Sequence, residues 1–133
     1  MLNISDMRLG DYIRYNSTSC TCPATDDRTF PDMTIEEGQH SNARWLLDYD
    51  YYAEPLLFIV TSICATHDRV YPRPIVTALA VPRSTSKCSY PVLGVHISFP
   101  TACFTKITDR NELTMLALRG YDFSKFSHLD SFK

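Results

Sequence analysis

Residues 56 to 66, Leu-Leu-Phe-Ile-Val-Thr-Ser-Ile-Cys-Ala-Thr, carry no charge in eleven positions. Such a run is too short to cross a bilayer, which takes about 20 apolar residues. Ile59, Val60, Thr61 and Ile63 are β-branched, so their stiff side chains suit a pleated sheet better than a helix. The run therefore reads as a buried strand. Two later stretches of the same character, Pro74 to Val81 and Val92 to Phe99, read as its neighbours in one sheet.

The remaining strands follow from alternation and from breakers. Arg8 to Tyr15 alternates as a first strand, with Leu9, Asp11, Ile13 and Tyr15 on one face. Trp45 to Tyr52 alternates again, with Trp45, Leu47, Tyr49 and Tyr51 sharing a face, and Pro55 ends it. Cys103 to Ile107 is a short further strand. Asn16 to Arg28 reads as a loop, and Phe30 to Ala43 continues irregularly, with room for at most one helical turn at Thr34 to Glu37. Short Pro-containing turns between strands exclude parallel crossovers, which need a dozen or more residues.

The only strong helix signal comes late. Asp109 is placed to cap, Glu112 stands three residues on, Leu113, Leu116 and Ala117 form an apolar stripe, and Gly120 suits the position after the last turn. Phe123, Phe126, Leu129 and Phe132 then recur every three residues, which predicts a short helix or turn docking back on the sheet. The expected fold is mainly β (α+β). It is a single domain over residues 1–133, with an antiparallel curled sheet or small SH3-like barrel core of about six strands and a C-terminal helix. The Gly10-Asp11-Tyr12 opening resembles the first strand of SH3-like barrels, a likeness of fold from which no function follows.

Length and composition suit a soluble domain that needs no metal to fold: 133 residues, 44% hydrophobic, net charge −2. The opening residues lack an apolar signal core, so the expected compartment is cytoplasmic. There Cys20, Cys22, Cys64, Cys88 and Cys103 stay as thiols, Cys64 and Cys103 being small core residues. The triplets Asn3-Ile-Ser5 and Asn16-Ser-Thr18 stay unmodified.

Charge is unevenly spread. Residues 26–54 hold eight acids against Arg28 and Arg44, a local −6, whereas residues 67–110 hold six bases against Asp68 and Asp109, a local +4. Either the two halves neutralise each other on one surface, as solvated mixed charge ordinarily does, or the molecule is dipolar and presents an acidic face to one partner and a basic face to another.

Candidate chemistry is sparse. Cys20, Cys22, Cys88, Cys103, His40, His67 and His96 include no matched pair of zinc-type spacings, so no metal ligand and no cofactor is assigned. A triad from Cys103, His96 and Asp68 lacks any motif for an oxyanion hole, and Asp48 with Asp50 reads as an outward carboxylate pair. Four glycines, none in a Gly-rich loop, exclude a phosphate-cradling fingerprint.

The reading is a non-enzymatic protein that acts by protein-to-protein contact, as an accessory, inhibitory or assembly component. Trp45, Tyr49, Tyr51 and Tyr52 are its anchors, and Asp26, Asp27, Glu36 and Glu37 steer a basic partner, in the narrowest form by imitating nucleic-acid phosphates. The alternative is a small barrel binding single-stranded nucleic acid through Arg69, Tyr71, Arg73, Arg83, Lys87 and Tyr90, against which stands a pI near 6.0. A small metal- or Cys/His-dependent enzyme comes third.

Overall fold

A computed structural model of the chain describes residues 1–16, 32–36, 56–64, 73–83 and 93–129. Among these residues six strands form one sheet: β1 (Tyr12–Tyr15), β2 (Met33–Ile35), β3 (Leu57–Cys64), β4 (Ile75–Ala80), β5 (Gly94–Ser98) and β6 (Phe104–Lys106). Their order is β2-β5-β4-β3-β1-β6, and every pairing is antiparallel. Among the described residues, one α-helix, α1 (Arg110–Leu118), and a 3₁₀ turn at Ser124–Phe126 come after the sheet. The expected antiparallel curled sheet with a C-terminal helix is what the chain forms.

Why the sheet curls can be worked out from its register. Tyr12, Ile59, Leu79 and Gly94 lie in one row across β1, β3, β4 and β5. Phe104, opposite Tyr15, starts β6 three residues above that row, and Ser98 ends β5 four residues below it. The two are also four strand spacings apart in the sheet order. On a flat sheet these offsets, about 23 Å along the strands and about 19 Å across them, separate Ser98 from Phe104 by roughly 30 Å. Six residues of extended chain reach at most about 21 Å. The sheet must therefore bend into a half-barrel for residues 99–103 to close the distance. A bulge between Val60 and Ser62 supplies part of the bend in β3.

One face of the sheet is apolar except at its β6 margin, where Lys106 lies opposite Ile13. Ile13, Tyr15, Met33, Phe58, Val60, Val76, Ala78, Ala80, Val95, Ile97 and Phe104 share it by register, and all are buried. Phe104 stacks edge-on against both Tyr15 and Phe58. The opposite face divides in two. Over β1 and β3 it is covered: Tyr12, Leu57 and Ile59 are buried there, Tyr12 meets the Phe123 ring edge-on at 5.3 Å, and Arg14 pairs with Glu112 of α1. Over β4, β5 and β2 it is mixed, bearing Thr77, His96, Ser98, Thr34 and Glu36 beside Ile75 and Leu79.

The crossover from β5 to β6 is pinned by one acid. Asp32, in left-handed backbone conformation at φ 61°, accepts from Arg73 Nη2 at 2.5 Å and from the buried Thr101 hydroxyl at 2.9 Å. Thr101 Oγ1 in turn accepts from the Cys103 amide, and the Thr101 backbone bridges Leu2. At the opposite edge the buried Asp11 carboxylate accepts from the Arg8 amide at 2.7 Å and lies 3.3 Å from Lys106 Nζ.

Several local expectations change. The first strand begins at Tyr12, not Arg8, because Gly10 at φ 85° makes a turn that a strand cannot contain. Residues 33–35, expected in an irregular stretch, form β2, since pairing with β5 supplies the order that their own pattern lacks. Cys64 is exposed past the β3 bulge, and Ala117 faces outward on α1. Cys103 is buried as expected but is disulfide-bonded, to a cysteine outside the described residues, so the expectation of thiols throughout fails there. Asp109 accepts from the Asn111 amide, and Gly120 takes φ 105° after α1, as their positions predict. Phe126 is buried, so the tail does dock back. The strand expected at Trp45 to Tyr52 lies outside the described residues.

Candidate interaction surface

The strand directions define two ends of the half-barrel. Asn16, Glu36, Leu56, Val81, Leu93 and Cys103 all lie at one of them, the upper rim, linked by Tyr15 N–H to Leu56 O, Val81 N–H to Leu57 O, Ala80 N–H to Leu93 O, Asn16 N–H to Cys103 O and Glu36 N–H to Gly94 O. Residues 17–31 leave from this rim, and residues 37–55 both leave from it and return to it, as do the residues between Arg83 and Leu93. Asp32, where residues 17–31 end, is at the lower end beside Ser98, whose amide donates to its carbonyl.

Of the eight residues expected to contact a protein, Glu36 is described; Asp26, Asp27, Glu37, Trp45, Tyr49, Tyr51 and Tyr52 lie outside the described residues. Glu36 closes β2 at the rim. Its carboxylate lies directly over Gly94, so closely that a β-carbon added there would overlap Oε2. Oε1 lies 4.0 Å from His96 Nε2, two residues along β5. On the other side of the same ring, Nδ1 is 3.3 Å from the Thr77 hydroxyl on β4. Three strands thus bring a carboxylate, an imidazole and a hydroxyl into line across this face of the sheet. Sequence reading singled out Glu36 and His96 separately. It had no signal that joined them, because their register is fixed by β2 pairing with β5.

Of the six residues of the nucleic-acid reading, Arg73 and Arg83 are described; Arg69, Tyr71, Lys87 and Tyr90 are outside the described residues. Arg73 precedes β4 at the lower end, held by Asp32 and by the Pro100 carbonyl. Arg83 lies beyond β4 at the upper rim, bridged to Tyr121, with Nε donating to the Arg119 carbonyl at the end of α1. The two guanidinium groups therefore sit at opposite ends of one strand.

The enzyme candidates fare unevenly. Cys103, in a disulfide, offers no thiolate to a metal or a substrate in this state. Asp48, Asp50, Asp68, His40 and His67 are outside the described residues. Among the described residues, no three of His, Cys, Asp and Glu converge as a metal-holding group, and no helix is long and apolar enough to cross a membrane. Neither a family model, nor a curated protein, nor a solved structure matches this chain.

Proposed function

We propose that this chain is a non-enzymatic interaction protein that presents acidic, aromatic-bearing segments from the upper rim of a rigid half-barrel to a basic protein partner. The observation that supports it most is the common origin of those segments: Asn16, Glu36 and Leu56, which border residues 17–31 and 37–55, are joined at the same end of the sheet by backbone hydrogen bonds to neighbouring strands. A scaffold that gathers the roots of several connecting segments at one end is how many folds build a recognition surface. On this reading Trp45, Tyr49, Tyr51 and Tyr52 supply the buried anchors, and Asp26, Asp27, Glu36 and Glu37 raise the association rate by electrostatic steering.

The test is a cross-linking capture compared between the native chain, the variant with Asp26, Asp27, Glu36 and Glu37 changed to the corresponding amides, and Trp45→Ala. Steering predicts that the amide variant captures the same partner more weakly, with a flattened salt dependence, and that Trp45→Ala loses it at every salt concentration. Unchanged capture and salt dependence in the amide variant would remove steering from the account.

The compartment is bound up with Cys103. A structural disulfide belongs to an oxidising environment rather than to the cytoplasm first expected. Intact mass of protein alkylated at the moment of lysis, before and after reduction, decides between them.

A further inference from the structure

We infer that Asn3, in the triplet Asn3-Ile4-Ser5, is an acceptor site for an N-linked oligosaccharide. The inference does not rest on the proposed partner contact. It rests on the oxidising compartment that the Cys103 disulfide implies, because in the cytoplasm the triplet would stay bare. A secretory lumen both forms disulfides and glycosylates such triplets. The motif excludes only proline at its middle position, and isoleucine stands there. So short a motif recurs by chance, and the fold decides whether its asparagine is available.

Here it is available. Asn3 and Ser5 are exposed, whereas Leu2 and Ile4 are half-buried and pack against the core. Leu2 also exchanges backbone hydrogen bonds with Thr101, at 2.9 and 3.0 Å, so the segment is fixed to the sheet by one set of residues and offers the other to solvent. The Asn3 backbone amide donates to Asp6 Oδ2 at 3.0 Å and takes no part in the transfer. The reacting atom, Nδ2, has the carbonyl of the exposed Met1 at 3.5 Å. In the transfer Nδ2 bonds to the anomeric carbon of a lipid-diphosphate-linked oligosaccharide, the bond from that carbon to the diphosphate breaks with its electron pair leaving on the lipid diphosphate, and the amide gives up one proton. One Nδ2 hydrogen remains, so even the Met1 contact survives. The bridge between Leu2 and Thr101 is antiparallel, so the chain passes from Leu2 to Asn3 toward the lower end of the half-barrel. A glycan rooted at Asn3 therefore leaves the upper rim uncovered. The second triplet, Asn16-Ser-Thr18, has only its asparagine among the described residues, and that residue is half-buried at the rim.

The experiment translates the full-length chain, behind an added cleavable secretion signal, in the presence of secretory microsomes. The protease-protected product is released by peptide N-glycosidase in heavy-oxygen water and mapped by mass spectrometry. The expected result is heavy aspartate at position 3 in most of the protected chain, absent from Asn3→Gln and Ser5→Ala and kept in Ser5→Thr. Because transfer precedes folding and both residues are exposed, loss of the label in these variants is not a folding defect. Protected, disulfide-bonded chain with an unmodified Asn3 overturns the inference. So does a label confined to Asn16, or one that persists in Ser5→Ala, which would be spontaneous deamidation. A second measurement takes the chain from its own source, alkylated at lysis: Cys103 recovered as a thiol places the chain outside a secretory lumen and overturns the inference, while partner capture by the Trp45 and amide variants is read separately and is unaffected.

Discussion

Asp32 gives the sharpest test of how the half-barrel is held shut. Its carboxylate serves the Thr101 hydroxyl and the Arg73 guanidinium, and its own backbone is left-handed. Replacing it with Ala leaves the Thr101 hydroxyl, at 1% exposure, without an acceptor, which costs about 1–3 kcal/mol. The Arg73 pair adds only about 0–1 kcal/mol, because that side chain is 43% exposed and screened by solvent. Holding Ala in left-handed conformation costs a further 1–2 kcal/mol or so. The loss for Asp32→Ala is thus about 4 kcal/mol, a large part of the roughly 7–20 kcal/mol available to a chain of this length. Asp32→Asn keeps an acceptor and tolerates the backbone, so about 1 kcal/mol is expected. Asp32→Gly relieves the backbone but not the hydroxyl, and falls between them. Urea unfolding monitored by circular dichroism reads the series, with the slope unchanged and the midpoint falling in the order Asn, Gly, Ala. Equal losses for Asn and Ala would show that neither hydrogen bonding to Thr101 nor backbone conformation fixes this corner, and the account of the crossover would be wrong.

Phe58→Ala, which empties a fully buried position flanked by Ile13 and Ala80 and stacked on Phe104, is expected to cost about 3–5 kcal/mol in the same assay, against under half that for the half-buried Phe123→Ala at the margin of the core. Reducing the Cys103 disulfide is expected to remove about 2–4 kcal/mol and to lower the melting temperature; a melting curve indifferent to reductant would mean that the bond constrains nothing. Asp122 is held below its ordinary carboxylate pKa of 3.8, first by the Ser124 hydroxyl and then by the Ser124 amide. A depressed folded-state value gives stability that is present above the unfolded pKa and lost as pH falls through the folded one. Ser124→Ala should therefore differ from the native chain at neutral pH and converge with it in strong acid, by a small amount because Asp122 is mostly solvated; a gap that widened in acid would reverse the sign.

The features legible in the sequence were those a single segment decides for itself. The uncharged run containing Phe58 and Val60 had to be buried, Asp109 and Gly120 had to bound a helix, and Phe126 had to find cover; all three hold. The features that escaped were decided between segments. Met33–Ile35 is too short to announce a strand and becomes one only through its partners on β5. Arg8 and Leu9 alternate in step with Asp11 to Tyr15, but Gly10 turns the chain before β1 begins. Cys64 belongs to an apolar run, yet the bulge at Val60 and Ser62 carries it out of the core. Five cysteines allow many pairings, and a sequence cannot rank them. The line from Glu36 through His96 to Thr77 joins three strands, so it exists only once the register is set.

The same register argues where function should be sought. Glu36 at the end of β2 and Leu56 before β3 are three strand spacings apart, about 14 Å at the usual separation, which four or five extended residues would span. The sequence spends nineteen there, residues 37–55. Lengthening a connection is thermodynamically mild, since each doubling costs only about 0.6 kcal/mol of closure entropy, so surplus length is tolerated. Here the surplus is not filled with neutral linker residues. It holds the chain's single tryptophan, three tyrosines and four acids against one arginine, the residue types on which the proposed partner contact rests.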